Sequence, residues 1–276
     1  MKIIMTILVR NEDDIIRENI EYHLKNGVDY FIITDHHSRD KTLSIIEEYE
    51  KRGIAEVRVE PSEEHHQAQW VTSMARRAFE KHGADWVINN DADEFWVPQN
   101  GNLKDFFETV APDVCKLHVD RYDFFYRPFK EAKFYEAMLF RETIRRWTKC
   151  CHRGVGDICV EVGNHDAQSE TFGKIGGQTI GAKGLKVFHF PVREVERYKT
   201  KMIEGTASVL STPGIPPEMF FHWKRALQFI QNNNFGEYLR EFSREGNFLN
   251  DCIRNGSVTF DDSLQNFFVI CPHNPH

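Results

Sequence analysis

The first hundred residues alternate between short apolar runs and segments in which apolar residues recur every three or four positions. Ile16, Ile20 and Leu24, which follow the first run, have the spacing of one helix face, and similar stripes follow the next two runs. Neighbouring parallel strands need crossover connections, so this alternation predicts an α/β fold with a mostly parallel central sheet flanked by helices. The four predicted strands cover residues 3–9, 30–34, 55–59 and 86–88.

The pattern becomes less regular after residue 100. We predict strand-like pieces at 114–119, 137–143 and 158–162, and a glycine-rich loop at 173–184. From 192 to about 247 the periodicity is helical, with a break marked by Pro213, Pro216 and Pro217. The second half is therefore expected to be mixed α and β, followed by a helical C-terminal region.

Charge and cysteine content narrow the class of protein. With 35 basic and 42 acidic residues, the formal charge of −7 disfavours nucleic acid as a partner.

The first apolar run is too short to cross a membrane and is followed by Arg10 rather than a cleavage site, although peripheral membrane contact stays open. Six cysteines without a secretion signal are expected to be reduced thiols of a cytoplasmic protein. Cys150, Cys151 and neighbouring histidines leave a structural zinc as the alternative, without a CxxC pair to support it.

Acidic and polar residues directly follow the predicted strands. In an open parallel sheet, ligands bind beyond the carboxyl ends of the strands, so Asp35 and the Asp91/Asp93 pair are expected to face one ligand. Two carboxylates this close are unfavourable unless positive charge lies between them, and Mg²⁺ or Mn²⁺ would supply it. The alternative is a solvated acidic turn in which Asp91 caps a short helix. The segment after the first strand is Arg10, Asn11 and Glu12.

Three ordered motifs resemble those of nucleotide-sugar-dependent glycosyltransferases of the GT-A fold, family 2 type. They are I-L-V-R-N-E at 7–12, I-T-D-H-H-S-R-D-K-T at 33–42 and D-A-D-E-F at 91–95. The resemblance implies that Asp35 contacts the nucleobase or ribose, that Asp91 lies near the ribose or sugar, and that Asp93 binds the metal. It also implies that Arg10, Asn11 and Glu12 line the nucleotide-sugar site. His36-His37 departs from the Asp-Gly that is usual there.

Residues 189–193, with the sequence H-F-P-V-R, are similar to an H-[FY]-x-x-R pattern of the D-A-D-E-F branch. By this resemblance His189 is a metal ligand. Arg193 and Lys201 are candidates for contacts with the diphosphate because they are basic, against the alternative of a solvated helix face. The alternative for His189 is simple packing between Phe188 and Phe190.

The turn at 163–166 offers a second candidate ligand, His165, or else a contact with the acceptor. Gln67 is a candidate for lining the nucleotide pocket, against the alternative of a plain amphipathic helix. Lys149 and Arg153 are candidates for phosphate contacts, with exposed cations as the equal alternative.

The residue that removes the acceptor proton is the least defined. The E-D motif of inverting members is not evident, so the candidates are Asp166, Glu161 and Asp157 in that order. A segment ending in Arg146-Trp147 lacks the Gln of the Q-x-x-R-W motif, and no membrane helices follow, which disfavours a processive polysaccharide synthase.

The resemblance implies a metal-dependent, inverting transfer of sugar from a nucleoside-diphosphate sugar to a saccharide or lipid-linked acceptor, as in polysaccharide biosynthesis. The expected organisation is a GT-A catalytic domain at 1–192, with a nucleotide-binding half at 1–100 and an acceptor half at 101–192. A helical extension at 193–276 packs on the same domain. The alternatives are a metal-dependent nucleotidyltransferase, which would need a glycine-rich phosphate loop after the first strand, and a non-catalytic sugar-nucleotide-binding module.

Overall fold

The computed structural model describes residues 1–129, 132–145, 147–216, 219–243 and 246–271. Pro217, one of the three prolines expected to break the helical region, lies outside these ranges.

The strands and helices of the described residues are as follows. The strands are β1 (Ile3–Val9), β2 (Tyr30–His36), β3 (Ala55–Glu60), β4 (Trp86–Asp91), β5 (Glu94–Pro98), β6 (Val114–Asp123), β7 (Phe140–Glu142), β8 (Trp147–Arg153), β9 (Cys159–Val160), β10 (Ala167–Gln168), β11 (Gln178–Gly181), β12 (Leu185–His189) and β13 (Val258–Phe260). The helices are α1 (Ile16–Lys25), α2 (Thr42–Lys51), α3 (Gln67–Glu80), α4 (Leu103–Glu108), α5 (Phe134–Ala137), α6 (Glu170–Lys174), α7 (Val195–Ser211), α8 (Phe221–Gln231), α9 (Phe235–Leu239), α10 (Gly246–Arg254) and α11 (Ser263–Ile270). A short 3-10 helix covers Val162–Asn164.

The central sheet has the strand order β3-β2-β1-β4-β8-β6-β12-β5, and β11 pairs with β6 beside this path. Strands β1 to β4 pair in parallel, as the alternating pattern predicts, whereas β8 runs antiparallel to both β4 and β6. Residues Ile3, Ile4 and Met5 of β1 are fully buried because helices cover both faces of the sheet. The predicted α/β class is confirmed.

Several elements of the second half differ from the sequence prediction. The piece expected at 137–143 is divided, since α5 ends at Ala137 and β7 begins at Phe140. The piece at 158–162 forms only the two-residue strand β9. The glycine-rich segment contains β11, whose residues are exposed and which is held by backbone pairing with β6 rather than by a hydrophobic face. The helices expected after 192 are confirmed, with the break between α7 and α8.

The chain forms two compact units. The first comprises Met1–Ser62, His66–Arg121 and Arg146–Phe188, and the second comprises Glu63–His65, Tyr122–Arg145 and His189–His276. A cluster of apolar side chains from α7, α8 and α9, with Met202, Ala226 and Tyr238 among its members, forms a core of the second unit. The division at 192 stays a prediction.

The six cysteines are all free thiols. Cys115, Cys150, Cys151 and Cys252 are buried, and Cys159 is exposed on β9. Burial raises the pKa of the Cys150 and Cys151 thiols well above the ordinary value. Among the described residues, no helix has both the length and the apolar content needed to cross a bilayer.

Candidate functional site

The parallel register places two of the predicted acidic residues on either side of β1. Asp35 on β2 is paired with Val9, and Asp91 on β4 is paired with Leu8, so both lie at the carboxyl end of the sheet. The backbones of β2 and β4 are two strand spacings apart, about 10 Å. Both carboxylates therefore lie at the edge where open parallel sheets bind their ligands.

Asp35 is 1% exposed. Its Oδ2 accepts a hydrogen bond from the Ser38 N–H at 3.0 Å, which closes the turn after β2. Its Oδ1 is buried and has no hydrogen-bond partner within the described part of the chain. A buried carboxylate oxygen without a donor is costly, so this atom is suited to a donor group of a ligand.

The loops after β1 and β2 are joined by hydrogen bonds. The Asn11 N–H donates to Ser38 Oγ at 2.9 Å, and Asn11 Oδ1 accepts from the Arg39 N–H at 2.7 Å. The buried Glu12 donates its N–H to Thr42 Oγ1 at 2.8 Å. His37, which stands where glycine is usual in the resembling family, has a left-handed φ of 55°. Arg10, Asn11 and Glu12 thus begin a loop that is fixed to the Asp35 loop.

Asp91 is held by a buried lysine. Lys149 Nζ lies 2.5 Å from Asp91 Oδ2, 3.0 Å from Glu94 Oε1 and 2.8 Å from the Gly163 carbonyl oxygen, so its three hydrogens have three acceptors. Lys149 is 2% exposed and Glu94 is 0% exposed. Burial alone would lower the pKa of Lys149, but the charges of Asp91 and Glu94 outweigh it and the pKa is raised. The positive charge beside Asp91 is therefore part of the protein.

The antiparallel direction of β8 explains this placement. Arg153 at the end of β8 is paired with Trp86 at the start of β4, so the beginning of β8 lies at the carboxyl end of β4. Arg153 is at the opposite edge of the sheet, where it lies over the Trp86 ring and donates to the Val114 carbonyl oxygen. Lys149 is thus not the exposed cation that the alternative expects, and both residues have partners within the protein. Their contacts with phosphate stay predictions.

The turn at 162–165 closes on the other oxygen of Asp91. The Asn164 amide donates to Asp91 Oδ1 at 3.1 Å, and Asn164 is fully buried with a left-handed φ of 58°. The Gly163 N–H donates to Gln67 Oε1 at 3.1 Å, which ties the turn to the start of α3. His165 Nδ1 lies 2.7 Å from the Thr148 carbonyl oxygen, and burial together with the Lys149 charge lowers the pKa of His165. The structure therefore brings Asp91, Gln67 and His165 together.

The donor set at this edge fits a hard divalent ion. Asp93 follows β4 and is 5% exposed, and carboxylate oxygens are the ligands that Mg²⁺ and Mn²⁺ prefer. A neutral imidazole can complete such a shell, and the lowered pKa of His165 favours its neutral form. Both oxygens of Asp91 already have a donor within the protein, Lys149 Nζ for Oδ2 and the Asn164 amide for Oδ1.

The three candidate bases have different environments. Asp166 Oδ1 accepts from Lys116 Nζ and from His118 Nε2, the latter at 3.0 Å, and these bonds outweigh burial, so the pKa of Asp166 is lowered. Glu161 is exposed, and its N–H donates to the Asp166 carbonyl oxygen at 2.9 Å across the neck of the hairpin that carries Asn164. Asp157 accepts from Ser169 Oγ at 2.6 Å and from the Thr171 N–H at 2.9 Å at the start of α6.

One further cluster of ligand-type atoms lies beneath the same hairpin. Ligand atoms of His118, Cys150 and Asp166 are within 4.8 Å of one another. Lys116 already supplies a positive charge to Asp166, and burial keeps the Cys150 thiol protonated by raising its pKa. This cluster is therefore balanced by the protein's own charges.

The remaining predicted site residues belong to the second unit. His189 Nδ1 lies 2.8 Å from Asp123 Oδ1. Arg193 is 7% exposed and donates from Nη1 to the Phe190 carbonyl oxygen at 2.8 Å. Lys201 lies on α7. Their predicted roles toward metal and diphosphate stay predictions.

Residues 5–158 match the model of glycosyltransferase family 92, a span of more than half of the chain. The chain therefore belongs to glycosyltransferase family 92. The family 2-like branch inferred from the D-A-D-E-F motif is not confirmed by this match. No curated protein gives a significant sequence match.

Among solved structures, the chain is similar to TarS 1-349 from S. aureus in complex with UDP. The identity is 17% and the TM-score 0.45, with 86% of this chain and 72% of that chain covered. It is also similar to the mannosyltransferase PcManGT from Pyrobaculum calidifontis in complex with GDP-Man and Mn²⁺, with 14% identity, a TM-score of 0.44, and coverage of 85% and 72%. A third is glucosyl-3-phosphoglycerate synthase from Mycobacterium tuberculosis in complex with Mn²⁺, UDP and phosphoglyceric acid, with 14% identity, a TM-score of 0.40, and coverage of 79% and 80%.

Sequence reasoning missed three residues that shape these sites: Lys149 as the partner of Asp91, Asn164 as the second donor to Asp91, and Asp123 as the partner of His189. For Asn164 the sequence does contain a signal, because Gly-Asn after an apolar strand favours a turn with a left-handed residue. For Lys149 and Asp123 the sequence contains no such signal, since their partners Asp91 and His189 are distant in sequence.

Proposed function

We propose that this member of glycosyltransferase family 92 transfers a sugar from a nucleoside-diphosphate sugar to a hydroxyl group of a saccharide or lipid-linked acceptor. The observation that supports this best is the pair of carboxylates on either side of β1: Asp35 with a buried, unpartnered oxygen, and Asp91 fixed by Lys149 and Asn164. Asp35 would accept from a ribose hydroxyl or base N–H, and Asp91 would contact the ribose or sugar. A cytoplasmic location stays a prediction from the cysteine content.

We propose Asp93 and His189 as ligands of Mn²⁺ or Mg²⁺, with Asp91 and His165 as the further candidates. When bound, the ion supplies positive charge opposite the departing diphosphate. Arg193 and Lys201 are proposed to add positive charge to the same group, and Gln67 to border the nucleotide pocket.

In the proposed reaction a carboxylate accepts the proton of the acceptor hydroxyl while that oxygen forms a bond to the anomeric carbon. The bond from that carbon to the diphosphate oxygen breaks on the opposite side, which inverts the configuration. Asp166 and Glu161 are the preferred bases because both lie at the neck of the hairpin whose tip contacts Asp91. Asp157 is the third candidate.

The test is binding of UDP and GDP, and hydrolysis of a panel of their sugar derivatives, with and without Mn²⁺. A nucleotide at about 100 times its dissociation constant should stabilise the protein by ~2.7 kcal/mol. Asp93→Ala should abolish metal-dependent binding and should still fold, which its cooperative thermal unfolding would show. The matched control is Asp251→Ala, which removes an exposed partner of Arg254 on α10.

Two outcomes would contradict the proposal at different points. If Asp93→Ala binds nucleotide with Mn²⁺ as well as the parent does, the metal assignment is wrong. If the parent binds no nucleoside diphosphate and hydrolyses none of the sugar nucleotides, the proposed function is wrong. Comparing His189→Ala with His165→Ala decides between the two candidate histidines.

A further inference from the structure

Asp123 and His189 form a carboxylate–histidine pair at the ends of β6 and β12, which are neighbours in the central sheet. The His189 side chain is 14% exposed and the Asp123 side chain 12% exposed. The Phe124 N–H donates to the His189 carbonyl oxygen at 2.8 Å, and the Phe124 and Phe190 rings stack with centroids 4.3 Å apart. Backbone and aromatic contacts on both sides therefore hold this pair in register.

The contact determines which ring nitrogen of His189 carries the proton. A carboxylate oxygen accepts, so Nδ1 is the donor, and in the neutral ring the lone pair is then on Nε2. Histidines that bind metals almost always donate the other ring N–H to a carboxylate or carbonyl oxygen, which fixes the tautomer and the ring orientation.

We infer that Asp123 is a positioning residue that fixes the Nδ1–H tautomer and the ring orientation of His189, so that Nε2 is the atom that binds the divalent ion. This inference rests on the proposed role of His189 as a metal ligand.

A second carboxylate–histidine pair provides a matched control. His82 Nε2 lies 3.3 Å from Glu56 Oε2, but that carboxylate also binds Arg77 and Lys81. It lies at β3 and the end of α3, away from the candidate site.

The first measurement is the tautomer of His189 in the metal-free protein, by long-range ¹H–¹⁵N NMR of histidine-labelled protein. The His189 signal is assigned by its absence in His189→Gln. We expect a proton on Nδ1 in the parent and a shift toward the Nε2–H form in Asp123→Ala. A parent His189 protonated on Nε2 would overturn the inference, whatever the variants do.

The second measurement is Mn²⁺ affinity, by electron paramagnetic resonance of the free ion in the presence of UDP or GDP. Asp123→Ala should weaken Mn²⁺ binding about 10- to 100-fold. Asp123→Asn should retain most of the affinity, since its amide oxygen still accepts from Nδ1–H, and Glu56→Gln should match the parent. Thermal unfolding of each variant shows whether it is folded.

The outcomes separate this inference from the proposed function. If His189→Ala loses Mn²⁺ binding while a folded Asp123→Ala keeps parental affinity, the inference fails and the metal role of His189 stands. If His189→Ala binds Mn²⁺ as the parent does, the proposed ligand itself is wrong, and the inference fails with it.

Discussion

Lys149 and Asp91 form an ion pair of 2.5 Å between a lysine that is almost fully buried and a carboxylate at the edge of the sheet. The same ammonium group lies 3.0 Å from Glu94, which is 0% exposed. One cation therefore contacts both carboxylates, and Arg121 Nη1 lies 3.5 Å from Glu94 Oε1.

Replacing Lys149 should lower the free energy of unfolding. Lys149→Met leaves the buried Glu94 without its main counter-charge, and we expect a loss of about 3–5 kcal/mol in the free energy of unfolding. Adding Glu94→Gln should restore part of this loss, because the buried side chain then carries no charge. The control is Lys174→Met, whose partner Glu170 is 84% exposed and whose loss should change the free energy by less than about 1 kcal/mol. Denaturant unfolding measures all three, and a Lys149→Met midpoint equal to that of the parent would contradict the prediction.

Asp35→Ala should weaken nucleotide binding more than it slows turnover. A contact to base or ribose is made equally in the ground state and the transition state, so KM should rise while kcat changes little. The control is Asp113→Ala, which lies just before β6 at the opposite edge of the sheet. Steady-state kinetics with a sugar nucleotide decide it, and a large fall in kcat with unchanged KM would place Asp35 outside the nucleotide pocket.

The three candidate bases can be separated by isosteric amides. Asp166→Asn or Glu161→Gln should lower kcat by about 10²- to 10⁴-fold at the true base. Asp157→Asn should leave kcat near that of the parent, because Asp157 accepts hydrogen bonds at the start of α6. Transfer rates at saturating donor are the readout, and a fall confined to Asp157→Asn would reverse the order of candidates.

Stability at acidic pH should depend on Glu56. Burial alone would raise the pKa of Glu56, but hydrogen bonds from Arg77, Lys81 and His82 lower it from 4.5 to about 2. A carboxylate with a lowered folded pKa contributes stability above its unfolded pKa, and that contribution is lost as the pH falls from about 4.5 to about 2. Glu56→Gln should therefore flatten the pH dependence of the thermal midpoint in this window. Curves of equal slope for variant and parent would show that Glu56 is not responsible.

The first four strands could be predicted because their apolar runs and the helix stripes between them follow simple periods. Strand β8 was missed because Lys149 and His152 interrupt its apolar character, although both are buried. His152 is accommodated by a 2.9 Å contact between Nδ1 and a backbone carbonyl oxygen, and Lys149 by three acceptors. Patterns based on hydrophobicity treat such residues as exposed.

The part of the candidate site that follows directly from the ends of the parallel strands could be predicted from the sequence. Topology alone places Asp35 and Asp91 at one edge, and the register confirms this placement. The partner of Asp91 was not predictable, since Lys149 is 58 residues away in sequence and reaches the site only because β8 runs antiparallel to β4. The Asp91/Asp93 pair predicts a divalent cation from sequence, and the structure adds an ammonium group of the chain itself beside Asp91.

The distribution of thiols makes the hairpin of β9 and β10 accessible to site-directed chemistry. Cys159 is exposed on that hairpin, whereas Cys115, Cys150, Cys151 and Cys252 are buried. An alkylating fluorophore should therefore label Cys159 ahead of these four. The dye would lie on β9, three residues before the start of the turn that holds Asn164 against Asp91. A change in the fluorescence of this dye on addition of a nucleotide would then indicate that the turn moves.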